Sequence, residues 1–397
     1  MCPEQTFDKR YTRLVELDAL RGLVMVLMVL DHARDFFGDH GVDALNLAQT
    51  HPALFLSRWV THLCAPTFVF LAGMSAFLAL GRSLSARNLG RHLLIRGLFL
   101  VVLEQTLLRC FGWYFNLDYR YMNAGILWGT GWSMALLGVM LRGSAPTLVI
   151  GCLGAGFAAG HGGLSRFLGN AWWWTPLLRS DDLTPRTGWH FYTSYPVLPW
   201  FGVMALGYTA AALLKPGTDG WHGRSLRAGL ASLFFFGAAR AAGWPIDPQP
   251  WTPQRNILFT VFALVNFEKY PPSPAFLTFT LGAALILLAV MLRLPVLPQQ
   301  WLVSLGRVPL FFYVVHIFTL HALALTIAWC RYGRVEWLHE GPGIFWSETL
   351  PGHPAGYGLG LGWVALIWAS TLAALTPASR AYGRFKRLHP AGWLAFL

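Results

Sequence analysis

Charge is what this 397-residue chain has least of. Lysine, arginine, aspartate and glutamate together make up 12% of it, about half the roughly 25% of an ordinary soluble domain. So few charges cannot cover a water-facing surface. A mean hydropathy of +0.46, with 55% hydrophobic and 15% aromatic residues, points the same way. Cysteine is also scarce. Cys2, Cys64, Cys110, Cys152 and Cys330 form no Cys-x-x-Cys pair, which argues against a disulfide frame and a thiolate metal site. No zinc signature, phosphate loop, dinucleotide fingerprint, internal repeat or low-complexity tract is present, so no metal is expected. Thr6 to Arg13 is polar and precedes no small-residue cleavage pattern, so no cleavable signal peptide is expected. The net charge of +12 is spread over single basic residues between apolar runs. That pattern excludes a nucleic-acid-binding face and fits the positive-inside rule of membrane proteins.

Apolar runs, by contrast, are abundant. A membrane helix needs roughly 20 mostly apolar residues. Ten such stretches predict an all-α, polytopic helix bundle in one domain, 1–397: residues 15–37, 54–80, 93–115, 122–141, 146–161, 196–214, 226–243, 274–292, 308–330 and 357–376. Asn256 to Phe267 is too short to span and reads as an interfacial or re-entrant segment. With an even count, most loop arginines and lysines, from Lys9 to Arg387, fall on one side. That side is expected to be the cytoplasm, with both termini inside and the protein in the cell inner membrane. Whether it forms a homodimer is left open by the sequence.

The first stretch, "LDALRGLVMVLMVLDHARDFF" (Leu17 to Phe37), carries ionisable groups at both ends of an apolar centre. Arg21 and His32 are eleven residues apart. On an α-helix that separation turns about 1100°, some 20° from three full turns, and rises about 16 Å. The two side chains therefore share a stripe: Asp18, Arg21, Met25, Met28, His32, Asp35. Ionisable groups in a span are costly and face partners or a polar cavity. Arg21 suits an anion-binding group. His32 suits a general base, since imidazole is poised nearest neutral pH. Asp35 or Asp31 would hold its tautomer, Asp35 having the better phase.

The chain resembles membrane acyltransferases that use acyl-CoA, and more closely bacterial relatives of heparan-alpha-glucosaminide N-acetyltransferase. The resemblance lies in "ELDALRGLVMVLMVLDHARDFF", "PALFLSRWVTHLCAPTFVFLAGMSAFL", "TSYPVLPWFGVMALGY", "KYPPSPAFLTFTLG" and "GRVPLFFYVVHIFTLHALAL", in that order along nearly the whole sequence. It implies acetyl-CoA bound from the cytoplasm and a sugar or glycan acetylated on the other side. It also opens an alternative. In the lysosomal enzyme the catalytic histidine lies in the loop after this helix and asparagine stands where His32 stands here, so His40 or His51 could carry the chemistry.

Further candidates follow from position. Arg91, Arg96 and Arg307 join Arg21 as phosphate partners for the cofactor-like co-substrate. His62, one turn from Arg58, and His316, deep in the ninth span, are candidates to line the substrate site. Lys269 and Tyr270 in "FEKYPPS" join them. Trp172, Trp173 and Trp174 read as an interfacial belt. The competing function is a small-solute transporter with a buried Asp/Arg/His proton relay, which would show inverted repeats that are not found here. The topological expectation is directly testable. Tags at residues 1 and 397 should both resist labelling from outside intact cells, and labelling of either end would reject an even span count with cytoplasmic termini.

Overall fold

The computed structural model describes residues 14–39, 41–80, 85–169, 171–183, 189–338, 354 and 356–389, with the side chains of Val296 and Pro298 excepted. Each of the ten predicted spans overlaps a helix, although the fourth, 122–141, opens on a short strand (Tyr121–Ala124) and becomes helical only from Ile126. In chain order they are α1 (Val15–Phe37), then α2 (Pro52–Trp59), which continues through a 3-10 turn (Val60–Leu63) into α3 (Cys64–Leu80). Next come α4 (Ala86–Leu103) with its π-helical extension (Glu104–Gly112), α5 (Ile126–Arg142) and α6 (Thr147–Leu168). A short α7 (Thr175–Leu178) precedes α8 (Val197–Leu214), α9 (Trp221–Ala241), α10 (Ile257–Leu264) and α11 (Pro274–Met291). The chain ends with α12 (Val296–Gly306), α13 (Pro309–Tyr332) and α14 (Leu361–Leu388). Six of these are long and apolar enough to cross a membrane by themselves: Pro52–Leu80, α6, α8, α11, α13 and α14. α5 is apolar but a residue short, and α1, α4 and α9 are diluted by charges at their ends. The protein is thus an all-α, multi-pass membrane helix bundle.

Three features depart from the sequence expectation. α6 runs to Leu168 rather than stopping near 161. Its glycines do not break it, because a helix without water around it has no other partner for its backbone groups, and Leu148 and Phe167 are left exposed on its outer face. α12 was not anticipated. It is only eleven residues long and lies along α1. A small sheet also forms outside the bundle, in the order β1 (Tyr121–Ala124), β3 (His190–Thr193), β2 (Asp182–Leu183), with β1 and β3 parallel. Its strands are two to four residues long, below the length at which alternation is readable.

Close approach of backbones sets the positions of the polar groups. Gly22 of α1 faces the Leu302 backbone of α12, and Gly306 faces the backbone of Asp18 and Gly22; a Cβ on either glycine would overlap a carbonyl oxygen. Small residues permit this kind of contact in membranes, where no hydrophobic force drives helices together. Elsewhere, the π-helical turn brings Arg109 Nη2 within 3.0 Å of Glu104 Oε1, and Glu104 Oε2 accepts from Leu127 N at 2.9 Å. Both side chains are buried, so the irregular turn is one that satisfies a charge pair inside the bundle.

The glycine contact makes a prediction. Gly306→Val must push α12 off α1 by more than rotamer changes can absorb. We expect a thermal midpoint in detergent well below that of Gly383→Val, whose position has only one ordinary side-chain contact. Equal midpoints would show that the α1–α12 junction tolerates separation.

Candidate active site

The ionisable residues of α1 form two polar centres, one at each end of a packed apolar segment. At the first, Arg21 Nη1 donates to Asp18 Oδ1 at 2.8 Å and to the Gly306 carbonyl at 3.4 Å, and Nη2 donates to Ser75 Oγ at 3.1 Å. Arg307 lies 3.7 Å from the other Asp18 oxygen, with 40% of its side chain exposed. Arg96 lies within electrostatic reach of Arg21. Arg21 and Arg307 therefore share one carboxylate, an excess of one positive charge to which the neighbouring Arg96 adds, and Arg307 is the more open of the two contacts on Asp18. Arg91 is exposed on α4. It precedes Arg96 by five residues, about 140° around the helix, so the structure does not gather it into this centre.

Between the centres, Met25 has no exposed surface and Met28 is buried. The middle of the stripe is packed shut rather than lining an open channel.

The second centre is built around Asp31. Its Oδ1 accepts from Arg58 Nη1 at 2.6 Å, Arg34 Nη2 at 2.8 Å and Thr61 Oγ1 at 2.9 Å. Arg34 also reaches Asp35 Oδ1 at 2.9 Å. These contacts clamp the end of α1 to the α2–α3 junction. Oδ2 of Asp31 has no hydrogen-bond partner among the described residues. Asp31, His32 and Asp35 can each bring one donor atom within 4.8 Å of the others. Arg34 and Arg58 already neutralise the carboxylates, so the set is a poor cation site.

His32 is not oriented as the sequence suggested. Its Nδ1 lies 2.7 Å from Nε2 of His316 on α13, with the two rings nearly parallel, 12° apart. Nδ1 of His316 lies 3.0 Å from the Phe312 carbonyl. The carbonyl can only accept, so His316 carries its proton on Nδ1. Its Nε2 then offers a lone pair to the Nδ1–H of His32. This chain of two bonds leaves the lone pair of neutral His32 on Nε2. Trp113 packs edge-on against the His32 ring at 4.8 Å, and Tyr313 flanks it. The tautomer is thus set by His316, whereas Asp31 and Asp35 spend the contacts described above on arginines. Both ring nitrogens of His316, expected to line the substrate site, are engaged within the protein, and the residue has no exposed surface.

The remaining candidates cluster here too. His62 is buried between the Phe267 and Phe276 rings, and neither ring nitrogen has a hydrogen-bond partner among the described residues. Lys269 is 6% exposed. Tyr270 Oη lies 3.5 Å from Tyr195 Oη. Their loop is pinned by Asp247, whose Oδ2 accepts from Glu268 N at 3.1 Å and Ser273 Oγ at 2.6 Å. Burial raises the Glu268 carboxyl above its ordinary range; a hydrogen bond from the Tyr270 backbone opposes this and the nearby Asp247 charge adds to it. His51 is exposed and caps α2, its Nδ1 accepting from Leu54 N at 3.4 Å, so it stands outside the centre. His40 lies outside the described residues.

Sequence reasoning missed the anchoring groups, Thr61, Trp113, Tyr313, Asp247 and Arg240. Arg240 donates to the carbonyls of Leu264, Ala263 and Asn266 and so ties α9 to the loop that carries Lys269. An arginine near a helix end reads as a topology signal, and nothing local marks it as a clasp.

Asp31 generates a prediction. Asp31→Asn keeps the shape but leaves Arg34 and Arg58 without their shared counter-charge. Breaking a buried pair from one side costs about 3–5 kcal/mol, so the variant should unfold at a clearly lower temperature. An unchanged midpoint would mean that the clamp is solvated.

Residues 13–244 match the sequence model of the catalytic domain of heparan-alpha-glucosaminide N-acetyltransferase. No curated protein matches the chain. The matched stretch holds Arg21, Asp31, His32, Arg58 and His62, while Lys269, Arg307 and His316 lie beyond it. It covers more than half of the 397 residues, and the chain therefore belongs to the heparan-alpha-glucosaminide N-acetyltransferase family, a family of membrane acetyltransferases.

Proposed function

We propose that this protein takes the acetyl group of acetyl-CoA from the cytoplasmic side and passes it to an amino or hydroxyl group of a sugar or glycan on the opposite side, with His32 as general base. The observation that carries this reading is the Phe312–His316–His32 hydrogen-bond chain, which aims an unprotonated Nε2 away from its two anchoring partners.

The Arg21 centre supports the donor end. Its excess of positive charge suits the phosphates of CoA, and the partly open Arg307 can offer a forked contact. Arg21 is held by Asp18, Ser75 and Gly306, so it shapes the junction and contributes charge. The distance between the centres suits the pantetheine arm, because the stripe rises about 16 Å from Arg21 to His32. Met25 and Met28 close that path at rest. Unbranched thioether side chains can swing aside at low cost, and the arm would enter by displacing them.

At the His32 centre the acceptor nitrogen or oxygen attacks the thioester carbonyl and its proton passes to His32 Nε2. The imidazolium formed keeps its Nδ1–H bond to His316 and sits beside the Asp31 carboxylate. Collapse of the tetrahedral adduct breaks the C–S bond, and the departing thiolate takes the proton back from Nε2. Asp31 Oδ2 can accept a second hydrogen from the acceptor. His316 acts as the positioning residue that an acid supplies in a hydrolase triad.

Transfer of labelled acetyl groups by the purified protein tests this. His32→Ala should lose about 10²–10⁴-fold in rate, the usual range for a general base, and still bind acetyl-CoA by calorimetry. The wild-type rate should fall with decreasing pH as the ring gains the proton that blocks it. His316→Phe should lose less than His32→Ala and shift the pH profile. Full activity in His32→Ala, with loss in His40→Ala or His51→Ala, would move the chemistry to the loop. Arg307→Ala should weaken acetyl-CoA binding; unchanged calorimetry would remove that arginine from the donor site.

A further inference from the structure

α14 is longer than a membrane is thick. Its 28 residues extend about 42 Å, against a hydrocarbon core of about 30 Å. Residues 361–379 carry no charge and suffice to fill that depth. Residues 380–388 hold Arg380, Arg384, Lys386 and Arg387, and no aspartate or glutamate stands anywhere on the helix. The positive-inside rule accounts for basic residues at such an end. It does not require them to gather on one side of the helix, and here three of them do.

Arg380, Arg384 and Arg387 follow one another at i, i+4 and i+7, and all three are exposed. They fall within about 60° of arc. Arg384 stands about five full turns beyond Leu366, which is 54% exposed in the membrane-crossing part. The arginine strip therefore continues the face that Leu366 presents to acyl chains, about 27 Å further along. Phe385 and Leu388 are exposed beside the strip. Packing fixes the rotation of the helix. Leu375 and Ser379 are buried, Trp301 Nε1 donates to Thr376 Oγ1 at 3.0 Å, and Tyr382 stacks on Phe311 of α13 with ring centroids 4.2 Å apart. The three guanidiniums are thus held on the lipid side of α14, at headgroup depth, with no carboxylate on their own helix to neutralise them.

We propose that Arg380, Arg384 and Arg387 form a binding site for the headgroups of anionic phospholipids, with Phe385 and Leu388 seated among the neighbouring acyl chains. Guanidiniums take phosphate oxygens in forked pairs. A zwitterionic headgroup also carries a phosphate, but its own ammonium offsets the attraction, so the site selects for net negative charge. Bound lipid holds the end of α14 against the α12–α13 junction, the junction from which Arg307 reaches Asp18. The proposal does not depend on acyl transfer.

The test uses the purified protein in neutral detergent and native mass spectrometry with dioleoyl phosphatidylglycerol or dioleoyl phosphatidylcholine. Each basic residue at an anionic surface contributes about fivefold in affinity. Wild type should prefer phosphatidylglycerol, and Arg380→Gln/Arg384→Gln/Arg387→Gln should bind it about 10²-fold more weakly while its phosphatidylcholine binding stays as in wild type. Arg380→Lys/Arg384→Lys/Arg387→Lys should keep part of the preference. A second triple variant, Arg87→Gln/Arg142→Gln/Arg227→Gln, removes the same charge from exposed positions on other helices and should bind phosphatidylglycerol as wild type does. Unchanged binding in the α14 glutamine variant, or equal loss in both glutamine variants, would overturn the proposal. Displacement of phosphatidylglycerol by excess inorganic phosphate would assign the strip to a free anion and overturn it too. Calorimetric acetyl-CoA binding should be the same in wild type and the α14 glutamine variant. Loss of acetyl-CoA with phosphatidylglycerol retained would move these arginines to the donor site.

Discussion

Asp31 is the group on which the rest of the site depends. A carboxylate inside an apolar bundle is tolerated only when its charge is matched and its lone pairs are engaged. Here one oxygen gathers Arg34 from its own helix and Arg58 and Thr61 from the neighbouring one. That arrangement fixes the rotation of α1 against the α2–α3 junction. The next residue in sequence is His32, so fixing the rotation aims the imidazole at α13. The clamp thus turns an electrostatic necessity into a geometric constraint on the candidate base.

The same logic explains the separation of the two centres. Buried charges need partners within a few ångströms, and a helix places matching groups at its ends while its middle is filled by aliphatic packing. Arg21 is stabilised where glycines let α12 approach, and His32 where α13 supplies a second imidazole. The buried methionines between them keep water out of the gap. For the proposed thioester chemistry that exclusion would matter, since water at the carbonyl would compete with the acceptor.

Much of the fold was legible because its signal is strong and local. Ten apolar stretches gave ten helices, since hydrocarbon allows backbone groups no other partners. The phase of Arg21 with His32 was also readable, being a property of one helix. What could not be read was everything set by contact across the sequence. His32 and His316 are 284 residues apart, and nothing near either shows that the other is its partner. Asp35, favoured by helical spacing, pairs with Arg34, because a guanidinium close by binds a carboxylate more strongly than a neutral imidazole does. Arg91 looked equivalent to Arg96 in the sequence, but five residues put it on another face. The α12 helix and the three short strands lacked the length that makes periodicity visible.

An imidazole pair has a consequence that a carboxylate–imidazole pair does not. A carboxylate hydrogen-bonded to His32 Nδ1 would stabilise the protonated ring more strongly than one whose charge two arginines already share, and a larger part of the population would hold the proton that the proposed reaction must remove. A neutral His316 orients the ring equally well through Nε2 and adds no charge. Asp31 stands close enough to stabilise the imidazolium once it forms, with its charge already shared by two arginines. Orientation and charge stabilisation, which a triad assigns to a single acid, are here divided between His316 and Asp31. In the proposed reaction this division gives the ring its direction without adding a further negative charge, and it leaves the Asp31 carboxylate within reach of the imidazolium.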